Sequence, residues 1–453
     1  MSGFRRSFVL VVSALLIIAV PLPAVADESD AACTSSGRVL RYLVVFDPGT
    51  TEDEASRRTE AACGTKTTFY PQIAVGVASS ADPAFAGRFG LDRAFSAQAQ
   101  RRTRAPARDR LSPTDPAEVP AINRSDEQWN MTAAGTRGGT GSRDVVVAVL
   151  DSGVDADHPE LAGAVDPALS AGCLSGKPDA DWAPTTSPHG THVAGIVAAA
   201  DDGKGVTGVA PDVRLASVKV IDDRGYVDPA AAVCGFMWAA AHHIQVVNAS
   251  FAIDPWGVSC SHADKYGVMY EAVSRAVRYA TAAGTLVVAA ATNEAVNLTP
   301  ARAGSASQSR CDVLPAGLRD VVAVSAARRD GVKAGYSSYG LGVVDLAAPG
   351  GDGADCVLST VPDGYASLCG TSMAAPHVAG VAALVASAHP GLGPEGLRAA
   401  LYRGARPTAC PTDYDLTGDG RQDAFCAGYS GYNGFYGHGQ VDAAGALGAA
   451  AGR

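Results

Sequence analysis

Charged side chains are scarce in this 453-residue chain, at 18% against roughly 25% in ordinary globular domains. With 47% hydrophobic residues, that scarcity excludes wholesale disorder. The 51 glycines follow no three-residue period and no heptad is sustained, which excludes collagen-like and long coiled-coil architectures. No apolar run approaches the ~20 residues that span a bilayer; the Ala-rich stretch Val378 to Ala386 is short and broken by Gly380. No Cys-x-x-Cys spacing occurs, so zinc ribbons and thioredoxin-like motifs are not expected. Lys is rare, 6 against 30 Arg, which points to a GC-rich bacterial genome and says nothing of mechanism.

What is present is unevenly distributed. The net charge of −10 divides into +2 over residues 1–26, +1 over 27–110 and −13 over 111–453. An acidic surface without a basic stripe repels phosphate backbones, so nucleic acid is not an expected partner. Residues 1–26 read as an export signal: Arg5 and Arg6, an apolar run from Phe8 to Val20, Pro21 and Pro23, then Ala24, Val25 and Ala26. The expected location is therefore secreted, extracellular, with no membrane association after signal removal. Ten cysteines suit an oxidising exterior. Short spacings favour Cys356 with Cys369 and Cys410 with Cys426; Cys173 with Cys234 and Cys260 with Cys311 would complete a sequential scheme, and Cys33 and Cys63 lie ahead of the acidic part.

Residues 27–110 read as a small α+β unit. Arg38 to Phe46 is a strand candidate, Thr51 to Cys63 a helix with acids at its positive end, Lys66 to Ser79 returns to extended patterning, and a second helix starts near Pro83. Arg101, Arg102, Arg104, Arg108 and Arg110, interspersed with prolines, make an exposed linker. From Asp144 onward, β-branched runs alternate with helical patterns: Val145 to Leu150, Leu215 to Ile221, Ile244 to Asn248, Leu286 to Ala291 and Val321 to Ser325. That alternation predicts an α/β fold, a mainly parallel sheet with helices on both faces.

Three motifs carry chemistry. Asp151-Ser152-Gly153 ends a strand, His189-Gly190-Thr191-His192 opens an apolar helix, and Gly370-Thr371-Ser372-Met373-Ala374-Ala375-Pro376-His377 opens another. A serine hydroxyl is a poor nucleophile at neutral pH; it needs an imidazole to take its proton and a buried carboxylate to orient that imidazole. The chain order Asp, His, Ser separates this arrangement from α/β-hydrolases, which run Ser, Asp, His.

These blocks, with Ala148-Val149-Leu150 before the first and Val378-Ala379-Gly380 after the last, resemble the three signatures of subtilisin-like serine proteases. The resemblance spans roughly Trp129 to the Gln440-Val441-Asp442-Ala443 ending. It implies a secreted serine endopeptidase in which Ser372 attacks the scissile carbonyl, His189 is base and then acid, and Asp151 holds the imidazole. Asn293, in Ala290-Ala291-Thr292-Asn293, would supply the side-chain donor of the oxyanion hole. It further implies that Gly225-Tyr226-Val227 and Ser250-Phe251-Ala252 sandwich an extended peptide, with Ala290, Ala291 and Thr292 on the wall of the pocket for the residue preceding the cut. Relatives usually carry Gly where this chain has Ala252 and Thr292, so a narrowed pocket is expected.

No cofactor is expected for catalysis. Structural calcium is expected at two places. The loop Ala200 to Val206 has the length of a family calcium site, with Asp202 and Glu160 as side-chain ligands and Ala200, Lys204 and Val206 offering carbonyls. Asp415-x-Thr417-x-Asp419-Gly420-Arg421-x-Asp423 resembles the first nine positions of a calcium loop but has Cys426 at the twelfth. The His189 and His192 pair lacks the neighbouring Glu of a zincin, which leaves His192 as a packed residue.

The expected organisation is a signal at 1–26, an inhibitor-like propeptide with its Arg-rich linker at 27–110, and a catalytic domain at 111–453, working as a monomer on protein or peptide substrates with its own propeptide as inhibitor. Rival readings are a processing peptidase dedicated to one precursor, an α/β-hydrolase-type esterase pairing Ser372 with His438, and a catalytically dead binding module. Sequons place Asn123, Asn130, Asn248 and Asn297 as glycosylation acceptors only in a host that glycosylates.

Overall fold

The structure, a computed structural model, describes residues 32–100, 110–111, 123–136, 140–255, 257–259, 266–300 and 312–451. The export signal, most of the Arg-rich linker and the Cys260 with Cys311 pair lie outside the described residues. Residues 34–453 form one compact unit.

The N-terminal unit folds as the small α+β unit expected, with one refinement. Strand β1 (Leu40–Val45) is followed by helix α1 (Glu52–Ala61), whose N-terminus Thr51 caps by accepting the Glu54 N–H, with Glu52, Asp53 and Glu54 on its positive end. The extended stretch divides into β2 (Thr65–Tyr70) and β3 (Val75–Ser80), then come α2 (Phe85–Phe89) and the short β4 (Ala94–Phe95). The four strands pair antiparallel in the order β2-β3-β1-β4. Alternation in β1 divides it between two cores. Tyr42 and Val44 pack under α1 and α2 with Phe46, Phe69 and Phe85, while Leu43 and Val45 join Val75, Val77 and Phe95 in a core shared with the rest of the chain.

The main sheet has seven parallel strands. They are β5 (Val146–Asp151), β6 (Ala171–Gly172), β7 (Arg214–Lys219), β8 (Val246–Ala249), β9 (Leu286–Ala290), β10 (Val321–Ala327) and β11 (Leu346–Pro349), in the spatial order β11-β10-β9-β8-β5-β7-β6. The continuous apolar run of β5 has a simple cause: Val147 and Val149 face one core, while Val146, Ala148 and Leu150 face the other.

Helices α3 (His189–Ala198) and α6 (Thr371–Ala388) cover one face; α4 (Pro229–Ala241) and α5 (Tyr266–Ala282) cover the opposite one. Helix α6 is longer than its Ala-rich segment suggested. Its 18 residues are apolar enough to cross a membrane by composition, but 89% of that window is buried inside the fold, where each enclosed Val or Leu contributes ~1.5–3 kcal/mol. An antiparallel hairpin, β12 (Val357–Val361) and β13 (Gly364–Cys369), leads into it.

Disulfides join Cys356 to Cys369 and Cys410 to Cys426, as the short spacings suggested, and Cys173 to Cys234, as the sequential scheme had it; Cys33 and Cys63 are each disulfide-bonded. The sequon residues Asn130 and Asn248 are fully buried, which removes both as glycosylation acceptors on the folded chain.

Candidate active site

Parallel strands deliver their ends to one edge of a sheet, and chemistry gathers there. Asp151 is the last residue of β5, Ser250 follows β8, and Thr292 and Asn293 follow β9. Helix α6, packed across β8, β9 and β10, starts above that edge with Ser372 as its second residue.

Asp151 is fully buried. Its Oδ1 accepts the Ser152 N–H at 2.7 Å and lies 2.7 Å from His189 Nδ1. A carboxylate oxygen already accepting an N–H faces the imidazole, so Nδ1 carries the proton and Nε2 is left as the basic atom. Glycine permits the approach. A Cβ on Gly190 would strike the Gly153 carbonyl and the Asp151 side chain, and Gly153 itself adopts φ +92°. Ser152 completes the bracket, its Oγ accepting the Gly190 N–H at 3.0 Å.

Pro376 explains how Ser372 is seated. Proline has no N–H, so the Ser372 carbonyl four residues earlier loses its helical donor. The Ser250 hydroxyl supplies one at 2.8 Å, and Ser372 Oγ donates back to the Ser250 carbonyl at 3.2 Å. To be deprotonated by an imidazole the Ser372 hydroxyl must redirect its proton from the Ser250 carbonyl, and catalytic hydrogen bonds are often formed only once substrate is bound. Gly370 is extended, φ 168°; its carbonyl accepts the Met373 N–H at 3.1 Å, and its N–H ties the helix start to the Gly350 carbonyl at 3.0 Å.

The amide of Asn293 has one possible orientation. Thr371 N–H, a pure donor, lies 2.9 Å from Oδ1, and the Thr371 hydroxyl also donates to it at 2.9 Å. The NH2 end is thus directed away from the Thr371 donors and kept as a donor for another acceptor. Thr371 was not foreseen as a functional residue. Its place directly before the nucleophile candidate was the available signal.

The other expected site residues are also placed. Gly225, at φ +79°, turns a loop in which Asp222 holds the Gly225 and Tyr226 N–H groups while Asp254 Oδ2 accepts from Val227 N–H at 2.9 Å. The backbone of this segment is thereby rigid, and its carbonyls retain a second lone pair for an added strand. Ser250 and Phe251 are buried and Ala252 is half-buried at the edge of the core. Ala290 ends β9 and Ala291 follows it; both are buried, and Thr292 is buried at φ +84°.

His192 is packed, as expected. Its Nε2 is 3.0 Å from the carbonyls of both Val357 and Ala366. His377 is likewise internal, with Nδ1 on the Met373 carbonyl and Nε2 facing the Asn130 amide; burial pushes its pKa down to about 4. His438 cannot serve Ser372. It stacks on Tyr402 at 4.3 Å, and its N–H binds the Asp345 carbonyl before β11, at the opposite edge of the sheet, which removes the esterase pairing.

At the expected calcium loop, Glu160 is buried with Oε1 bonded to the Tyr365 hydroxyl at 2.7 Å and Oε2 without a hydrogen-bond partner among the described residues. Burial raises its pKa, and Asp202 nearby raises it further. In the second loop, Asp415 accepts from Thr417, Gly418, Asp419 and Gly420, and Asp423 Oδ2 from Leu416 and Thr417. Those hydrogen bonds hold the Asp415 carboxyl below its ordinary range.

A parallel sheet with a buried carboxylate, an oriented imidazole and a serine on a helix start has the make-up of an α/β serine hydrolase. The description of the subtilase family matches residues 142–439. Subtilisin NAT of Bacillus subtilis subsp. natto is 36% identical over 264 residues, covering 58% of this chain and 60% of its own length. Among solved structures, a protease of Pseudoalteromonas arctica shares 30% identity, covers 74% of this chain and 100% of its own, and has a TM-score of 0.55. Fervidolysin from Fervidobacterium pennivorans, at 24% identity and a TM-score of 0.65, covers 91% of this chain and 61% of its own, and supports the fold. The chain belongs to the subtilase family. It spans about 60% of the length of Subtilisin NAT and 84% of that of the subtilisin of Bacillus pumilus.

Proposed function

We propose that this chain is a secreted serine endopeptidase made as a self-processing precursor, with residues 1–26 as signal, 27–110 as propeptide and linker, and 111–453 as the catalytic part. The observation that carries the reading is the 2.7 Å Asp151–His189 contact at the sheet edge where α6 begins with Ser372. In the reaction, His189 Nε2 takes the Ser372 proton as Oγ bonds to the scissile carbonyl carbon, and the oxyanion is held by the Asn293 NH2 and the Ser372 N–H. His189 then gives the proton to the leaving amine, the C–N bond breaks, and an acyl-enzyme remains. Water repeats the sequence with His189 as base, releasing the acid and restoring Ser372.

Support for the leader's role comes from its seat. Arg275 Nη1 on α5 donates to the Phe46 and Ile73 carbonyls at 3.0 Å each, Tyr70 binds the Gly176 carbonyl at 2.8 Å, and Arg41 binds that of Leu174 at 2.6 Å. A unit held this way can template the catalytic part and stay on it after cleavage. Glu160, with a buried oxygen unpartnered among the described residues, fits a structural cation, and a bound calcium would supply charge compensation there. The self-capped Asp415 loop is the weaker fit for a second ion.

Maturation supplies the test. Ser372→Ala should leave a full-length precursor in a host free of other secreted proteases. Normal trimming of that variant would sink the self-processing reading.

A further inference from the structure

Thr292 occupies a backbone conformation that a β-branched residue rarely adopts. Its φ is +84°, and such a conformation persists only when the surroundings over-determine it. The surroundings do so here through one short segment. Thr292 Oγ1 bonds Ser338 Oγ at 2.8 Å, and the Ser338 N–H returns to the Thr292 carbonyl at 2.9 Å. The lacing continues: Ala295 N–H, on a second left-handed residue at φ +54°, binds the Tyr336 carbonyl, Val296 N–H reaches Ser338 Oγ at 3.3 Å, and Tyr339 N–H reaches the Val296 carbonyl at 3.0 Å.

Ser338 is itself immobile. It is fully buried, its carbonyl accepts the Ser337 hydroxyl, and Lys333 Nζ pins the Ala334 and Ser337 carbonyls from below at 2.8 Å each. A rigid internal segment thus grips the residue directly before Asn293.

We propose that Thr292 is a positioning residue for the oxyanion donor: its hydroxyl, clipped to Ser338, sets the backbone from which Asn293 reaches the reacting carbonyl. The hydroxyl matters because the conformation is strained. Without the clip, the peptide between Thr292 and Asn293 relaxes toward ordinary φ values and swings the amide off its target. A misplacement of about 1 Å from the reacting atoms can lower the rate up to ~100-fold, so a partial shift of this kind is expected to cost about tenfold. The peptide is bound mainly by other segments, and removing the hydroxyl alone keeps the side-chain volume of residue 292 on the pocket wall, so KM is expected to change little.

This inference rests on the reading of Asn293 as oxyanion donor, and the experiment separates the two. The full chain is produced with its leader, and the processed enzyme is assayed on a fluorogenic peptide. Thr292→Val keeps the shape of the side chain and removes the hydroxyl; it should lower kcat about tenfold with little change in KM, and Thr292→Ser should recover most of that loss. Ser338→Ala should match Thr292→Val, and the double variant should be no worse than either, because both remove the same bond. Losses that multiply in the double variant, or a Thr292→Val enzyme with unchanged kcat, would overturn the clip. Asn293→Ala reports on the underlying reading alone: a loss of roughly a hundredfold or more in kcat upholds the donor whatever Thr292→Val does, whereas a loss below tenfold removes the donor and the clip with it.

Discussion

Single residues set where charge and shape can be changed without touching the chemistry. Asp345, just before β11, has its pKa raised to about 6, because burial outweighs hydrogen bonds from Ala323 N–H and Tyr402 and the attraction of Arg398. A carboxyl raised above its unfolded value stabilises fully below about pH 4 and loses that contribution as pH rises through about 6. Asp345→Asn should therefore flatten the stability profile over that window and gain about 2 kcal/mol at pH 8 relative to pH 4. Thermal melts of both proteins across pH 4–8 measure this; parallel profiles would contradict it. At the cleft, the extra side chains of Ala252 and Thr292 should direct cleavage after small or slender residues. A peptide-library profile dominated by Phe or Tyr before the cut would show the pocket to be open.

Elements were legible where one force dominates. The apolar runs of β5 and β9 and the capped α1 follow from burial on two faces and from Thr51 with its three acids. The short β6 and β11 were missed because two to four residues at a sheet margin carry no period, and the Lys66 to Ser79 stretch hid a hairpin. Of the candidate site, Asp151, His189, Ser372 and Asn293 stand out in the sequence because each sits near an element boundary in a distinctive block. The bracing was not: Thr371 on Asn293, Ser250 on the carbonyl orphaned by Pro376, and Ser338 on Thr292 are contacts between segments far apart in the chain. The loop after α3 carries the prediction at this scale. Gly205, at φ +42°, brings the backbone so close that a Cβ would meet Glu160 Oε1 and the Tyr365 hydroxyl, so the loop closes against the carboxylate whose other oxygen, Oε2, has no hydrogen-bond partner among the described residues. Chelation should lower the melting temperature of the mature enzyme by several degrees and have no effect on Glu160→Gln. Equal melting with and without chelator would remove the calcium proposal.

Across the whole molecule, the charge division acquires a structural meaning. The near-neutral leader contributes Leu43, Val45, Val75, Val77 and Phe95 to a core continuous with α4 and α5, so its hold on the acidic part is apolar burial fixed in register by Arg41, Tyr70 and Arg275. Apolar burial of this kind is insensitive to salt, which leaves the Arg41–Asp228 pair at 3.8 Å as a contact that salt would weaken. The proposed chemistry rests on one atom, Ser372 Oγ. Covalent labelling with a fluorophosphonate probe, followed by peptide mapping, tests its role most directly. The mature enzyme should carry one label, on Ser372, and His189→Ala and Asp151→Asn variants, supplied with leader removal by an added protease, should label at least a hundredfold more slowly. A label on another residue, or labelling of Ser372 at an undiminished rate in the His189→Ala variant, would contradict the account.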